Sequence, residues 1–244
     1  MAQASRTFRI FVSSTFSDLK AERNALQRFV FPRLRDLCLQ HGCRFQAIDL
    51  RWGVSEEAAL DQQTMTICLD EIARCRRTSP RPNFIILLGD RYGWRPLPPK
   101  IPAVEYDALK TRFSKEEQAR LEEWYKLDEN AKPLEYCLKP REHGGPFEDY
   151  TAWGPVEQEL MTILQKAAQD TPLEEYERLK YGASATEQEI ARGALLVTDA
   201  RDHVFGFFRT IQELPQDLSS ARDFMDLDES KNLDQKAHDL LEDI

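Results

Sequence analysis

The sequence is short of the residues that build thiol and metal chemistry. Its five cysteines (Cys38, Cys43, Cys68, Cys75 and Cys137) include no Cys-x-x-Cys pair. An odd count, with three of them on apolar helix faces or in a strand, argues for reduced, structural thiols in a cytosolic protein. The four histidines (His41, His143, His203 and His238) are scattered. They offer neither a paired base and nucleophile nor a His/Cys/carboxylate cluster at ligand spacing, so no metal is expected. No apolar run approaches the length of a membrane span, and no charged-then-apolar leader opens the chain, so no membrane partner is expected.

Positive charge is short as well. The formal net charge is −9, and phosphate backbones demand a concentrated basic surface, so nucleic acid is not an expected partner. The deficit is uneven: from Gln216 to Ile244 nine acidic residues face three basic ones, a net of −6. Residues 216–244 therefore read as an acidic linker or docking tail. Repeats and low-complexity tracts are missing too. What is present, 244 residues at 41% hydrophobic and 10% aromatic, suffices for one large domain carrying an insertion.

The stretch Phe8-Arg9-Ile10-Phe11-Val12-Ser13 is apolar apart from Arg9 and Ser13, and reads as a strand buried on both faces of a sheet. Ser14, Thr15 and Ser17 break it, and Ser17 or a neighbour is placed to cap the helix that follows. That helix carries Leu26, Phe29, Val30, Leu34, Leu37 and Cys38 on one face, should kink at Pro32, and stops at His41-Gly42. Residues 44–50 predict a second strand, and Arg51-Trp52-Gly53-Val54 opens a polar loop. Met65, Cys68, Leu69, Ile72 and Cys75 mark another helix. Asn83–Leu88 is the clearest central strand, ending at Gly89-Asp90-Arg91-Tyr92-Gly93.

The rhythm then breaks. Residues 97–150 read as a peripheral helical insertion, with a charged helix from Ser114 to Asp128. Pro155 is placed at a first helical position. Thr186 opens a further helix, and His203–Phe208 forms a fourth strand. The fold class is α/β: residues 1–215 form a doubly wound, mainly parallel sheet with a helical insertion. In such sheets ligands bind at the carboxyl ends of the strands. Ser13, Ser14, Thr15, Arg51, Trp52, Asp90 and Tyr92 all fall there.

The opening Val-Ser-Ser-Thr-Phe, Asp49-Leu50-Arg51-Trp52-Gly53-Val54, the Cys68-x-x-Glu71-Ile72 helix, Leu88-Gly89-Asp90-Arg91-Tyr92-Gly93 and Thr186-Glu187-Gln188-Glu189-Ile190 together resemble a TIR-like (flavodoxin-like) domain. The resemblance is to the kind found at the N-terminus of NACHT and WD-repeat signalling ATPases and in bacterial relatives, and it spans roughly residues 7–210. It implies a domain cut from a longer, cytoplasmic chain, fused to a NACHT ATPase and a repeat sensor and self-associating through TIR-like faces. TIR domains either recruit one another or cleave NAD⁺ at the nicotinamide–ribose bond, with NAD⁺ as substrate and no further cofactor. Cleaving versions use one glutamate near the start of the helix before the fourth strand, often four residues after a tryptophan. Glu189 has that topological place, with Ala185 where the tryptophan would stand; Trp153 and Glu157 have that spacing.

Structural readings stay open beside the functional ones. Thr186-x-x-Glu189 also fits a capping box, and Glu157, close after Pro155, fits an acid favoured by a helix dipole. Ser13, Ser14 and Thr15 suit a binding loop and a cap equally. Arg51 and Trp52 suit a loop anchor. Tyr92 and Trp94, with Arg91 and Arg95, can stack on a base or pack beneath the insertion.

Overall fold

The computed structural model describes residues 6–50, 60–212, 221–228 and 232–244. The chain divides into two compact units, one of residues 1–53, 68–94 and 184–244, the other of 54–67 and 95–183.

The first unit is organised around β1 (Thr7–Ser13). It pairs in parallel with β2 (Arg44–Ile48) on one side and β3 (Phe84–Leu88) on the other, and β3 pairs in parallel with β7 (Val204–Phe208). The order β2-β1-β3-β7 is a TIR/flavodoxin-like layout, with the two most apolar runs inside. Alternation along β1 sends Phe11 to one face, with Ile72, Phe84, Ile86 and Ile190, and Ile10 and Val12 to the other, with Leu19, Phe31 and Leu87. Both faces are thus covered, as a parallel sheet requires. The rings of Phe11 and Phe84 stack across the β1–β3 pair, their centroids 5.8 Å apart. Gly193 lies against this core because a Cβ there would come within 2.5 Å of the Phe84 ring.

The helix after β1 begins at Leu19 as N-cap, with no side-chain cap. The cap expected from Ser17 or a neighbour is not made, and the Ser17 hydroxyl accepts a hydrogen bond from Arg91. Helix α1 (Lys20–Ala25) passes through a π turn at Leu26–Val30 into α2 (Phe31–Gln40). The break expected at Pro32 takes this form: the wide turn puts the proline in the first turn of α2, where a missing N–H is tolerated. Gly42, at φ +68°, ends α2. Helix α3 (Thr64–Thr78) leads to β3.

The second unit is more than helical. It holds β4 (Lys100–Pro102), α4 (Ala103–Lys110), α5 (Lys115–Trp124), β5 (Tyr125–Asp128), β6 (Glu135–Leu138), α6 (Tyr150–Gln169) and α7 (Glu175–Leu179). The three strands form an antiparallel sheet, β4-β6-β5. The charged helix expected to reach Asp128 ends at Trp124, and its last residues become β5. Trp124 and Trp153 meet edge to face at 4.6 Å in a core with Tyr106, Tyr125 and Leu160. Helix α6 starts five residues before Pro155, because Asp149 accepts a hydrogen bond from the Thr151 amide at 2.8 Å. Pro155 is therefore inside the helix, and Glu157 is not in a first turn. Among the described residues, no helix is long and apolar enough to cross a membrane.

Candidate active site at the carboxyl edge of the sheet

Ser13 closes β1 at its carboxyl end and is fully buried. Its hydroxyl donates to Oε2 of Glu189 at 2.6 Å. Glu189 reaches it from helix α8 (Ala185–Ile190). That helix is capped by Ser184, whose Oγ accepts from the Glu187 amide at 3.1 Å. The start expected at Thr186 is thus two residues late, and Glu189 is free of any capping duty; it turns into the sheet edge. The Cys68 thiol of α3 also bonds this carboxyl.

Burial drives the Glu189 carboxyl up from its ordinary value near 4.5 to about 7; the hydrogen bonds from Ser13 and Cys68 and the charge of Arg23 offset only part of that. Burial, reinforced by Glu189, likewise pushes the Cys68 thiol far up, so that it stays a neutral donor. A carboxyl poised near neutrality at a strand end has the character of a working acid–base or electrostatic group.

Ser14 and Thr15 have structural partners. Arg23, 2% exposed, donates from Nε to Ser14 Oγ at 2.5 Å and from Nη2 to the Ser14 carbonyl at 3.0 Å. Its Nη1 meets Asp49 Oδ1 at 2.5 Å, and both side chains are 2% exposed. This buried pair straps β1 to the end of β2. Thr15 Oγ1 donates to Asp18 at 2.5 Å. Burial pushes the Asp18 carboxyl up, against the pull of Thr15 and of Arg209, which lies 3.3 Å away.

The loop after β3 holds α8 in place. The Tyr92 hydroxyl donates to Glu187 and accepts from the Ser184 amide at 3.1 Å, while the Trp94 carbonyl accepts from the Ala185 amide at 2.8 Å. Buried Tyr92 is therefore a strut for the helix that carries Glu189. Asp226, from the acidic segment, in turn accepts from the Tyr92 and Gly93 amides at 2.8 and 3.0 Å and pairs with Arg91. Leu241 and Ile244 of the same segment pack on the core of the first unit. Asp90, just past β3, keeps one buried carboxyl oxygen without a hydrogen-bond partner among the described residues.

Of the residues singled out from sequence, Ser13 and Glu189 meet directly. Ser14, Thr15, Asp90 and Tyr92 belong to the loops around them. Arg51 and Trp52 lie outside the described residues. Glu157 belongs to the second unit, where it is buried and accepts from the Tyr150 hydroxyl at 2.6 Å. Arg23, Asp49, Cys68, Glu187 and Asp226 were missed as parts of the edge. The signal for Arg23 was its place four residues after Leu19 and three before Leu26, on the inward stripe. Among the described residues one group of metal-type donors, Asp128, Glu135 and Cys137, comes within 4.8 Å in the β5–β6 hairpin, but Lys100 already pairs with Glu135 at 2.5 Å.

Residues 9–139 match a family described as "Domain of unknown function (DUF4062)". The chain is 32% identical over 202 residues to "NACHT domain- and WD repeat-containing protein 1" of Mus musculus, covering 80% of this chain and 12% of that one. It is 37% identical over 144 residues to "NACHT and WD repeat domain-containing protein 2" of Homo sapiens (58% of this chain, 8% of that one). Over 91 residues it is 38% identical to "Telomerase protein component 1" of Rattus norvegicus (37% of this chain, 3% of that one). The chain thus spans about an eighth or less of the length of these relatives. No solved structure matches it.

Proposed function

The chain belongs to the DUF4062 family, and we propose that its first unit hydrolyses NAD⁺ at the nicotinamide–ribose bond when copies are brought together, as the effector of a NACHT-type sensor in the cytoplasm. Support comes from one contact above all: Ser13 at the end of the central strand holds the carboxyl of Glu189, and burial poises that carboxyl near neutrality. Such a carboxylate suits the reaction. The C1′–nitrogen bond breaks with its electron pair going to the nicotinamide ring, which leaves neutral without needing an acid. The ribose becomes an oxocarbenium ion, which the ionised Glu189 stabilises. Water then adds to C1′ and releases a proton, giving ADP-ribose. Ser13 orients the carboxylate, and the unpartnered oxygen of Asp90 is an acceptor for a ribose hydroxyl. The names of the relatives support the fusion to NACHT and WD-repeat parts.

The test is release of nicotinamide from NAD⁺ by the chain held in a forced assembly, against the same chain as a monomer. Release by the assembly, at least about tenfold faster than by the monomer, is the expected result. An assembly that never releases nicotinamide would contradict it. A second reading, a non-enzymatic adaptor, is favoured by one observation: edge strand β7 exposes Phe205, Phe207 and Phe208, an apolar edge suited to homotypic pairing. An inert assembly would select it.

A further inference from the structure

We propose a second ligand site, for a phosphorylated sugar, at the amino-terminal edge of the same sheet. A cavity of about 310 Å³ opens there, before β3 and β7, and Arg76, Arg77 and Arg192 line it. Two of these arginines come from the last turn of α3 and one from the π turn at Ala191–Leu195. None of the three takes part in an ion pair among the described residues, and all are exposed, so their guanidinium groups are available at the rim. The other charges of the cavity are spent on each other: Arg81 pairs with Asp199 and with Asp202, the latter at 2.9 Å. In a chain of net charge −9, three uncommitted arginines around one cavity are a local excess of positive charge, in the residue type that grips phosphate in a fork.

The floor asks for something different. Asn83 and His203, 3% and 2% exposed, line the cavity, and each leaves a buried polar atom, Asn83 Oδ1 and His203 Nδ1, without a hydrogen-bond partner among the described residues. His203 Nε2 faces the Asp199 carboxylate at 3.1 Å, which places a ring proton on Nε2; in the neutral imidazole Nδ1 is then an acceptor. Two buried acceptors below three cations call for a ligand that brings hydroxyl donors to the floor and a phosphate to the rim. A phosphorylated ribose has both, and the free sugar phosphate and the nucleotides built on it share that chemistry. The site stands apart from Glu189, which lies at the other end of the strands.

Calorimetric titration of the full 244-residue chain at low salt, with ribose 5-phosphate, AMP, inorganic phosphate and ribose, separates the parts. The expected result is binding of ribose 5-phosphate at least about tenfold tighter than inorganic phosphate or ribose, weakening as salt is added. AMP binding as tightly as ribose 5-phosphate identifies nucleotides as able to use the site, and weaker AMP binding identifies the free sugar phosphate. The variant Arg76→Ser, Arg77→Ser, Arg192→Ser changes exposed positions only and should keep the circular dichroism of the parent while losing at least about tenfold in affinity. Equal binding by parent and variant, or no binding of ribose 5-phosphate to the parent, would overturn the site. Inorganic phosphate binding as tightly as ribose 5-phosphate would overturn the role of the floor.

Discussion

Glu189→Gln is expected to lower nicotinamide release by the assembled chain more than about a hundredfold, because a carboxylate that stabilises a developing cation contributes on the order of several kcal/mol in a site closed to water. Glutamine keeps the shape and still accepts a hydrogen bond from Ser13, so assembly and fold should persist. Stability should even improve at high pH. The folded-state carboxyl titrates near 7 against an ordinary 4.5. The unfolded chain therefore gives up its proton first as pH rises, and stability falls between about 4.5 and 7. The full loss is on the order of 3 kcal/mol, and the glutamine variant escapes it. Thermal unfolding at pH 8 checks this, and a variant that melts well below the parent would show that the ionised carboxylate is needed by the fold. Glu157→Gln is the internal comparison: Tyr150 bonds that carboxylate inside the second unit, and release should stay within about threefold of the parent. A collapse of activity in Glu157→Gln with a normal Glu189→Gln would exchange the two roles.

The largest stability effect is expected from Arg23→Ala. The substitution takes the Arg23 guanidinium away from buried Asp49 and removes its donors to Ser14. Breaking one side of a buried ion pair costs about 3–5 kcal/mol, a large part of what a domain of this kind has in reserve. The shift in urea midpoint of the first unit's transition measures it. Arg74→Ala is the contrast, since Arg74 is 54% exposed in its pair with Glu71 and should lower the unfolding free energy by less than about 0.5 kcal/mol, leaving the midpoint nearly in place. Similar midpoints for the two variants would mean that the Arg23 strap carries little.

The central strands were legible because Ile10-Phe11-Val12 and Phe84–Leu88 are unbroken apolar stretches, a pattern that suits burial on both faces. The β5–β6 hairpin was not. Tyr125–Asp128 and Glu135–Leu138 are four residues each, interrupted by Lys126, Asp128 and Glu135, and follow a helix pattern strong enough to absorb the first of them. The start of α6 was misplaced because Pro155 looks like a first helical residue, whereas the carboxylate of Asp149 decides the matter. The start of α8 was ambiguous for a related reason. Ser184-x-x-Glu187 and Thr186-x-x-Glu189 are overlapping capping patterns, and local sequence cannot choose between them. Tertiary contacts choose: Tyr92 takes Glu187, Ser13 takes Glu189, and the helix starts where both are satisfied. Arg23 escaped notice as part of the edge because arginine is seldom buried, and nothing local shows that Asp49 waits for it.

The pH dependence of nicotinamide release under single-turnover conditions, measured on the assembled chain from pH 5.5 to 8.5, tests most directly that Glu189 is the working group. An ionised carboxylate is needed, and it forms as the pH rises through about 7. The rate should therefore climb about tenfold per unit at the acid end, bend near pH 7 and level off above it. A rate that is flat over this range, or that falls as the pH rises, would contradict the account.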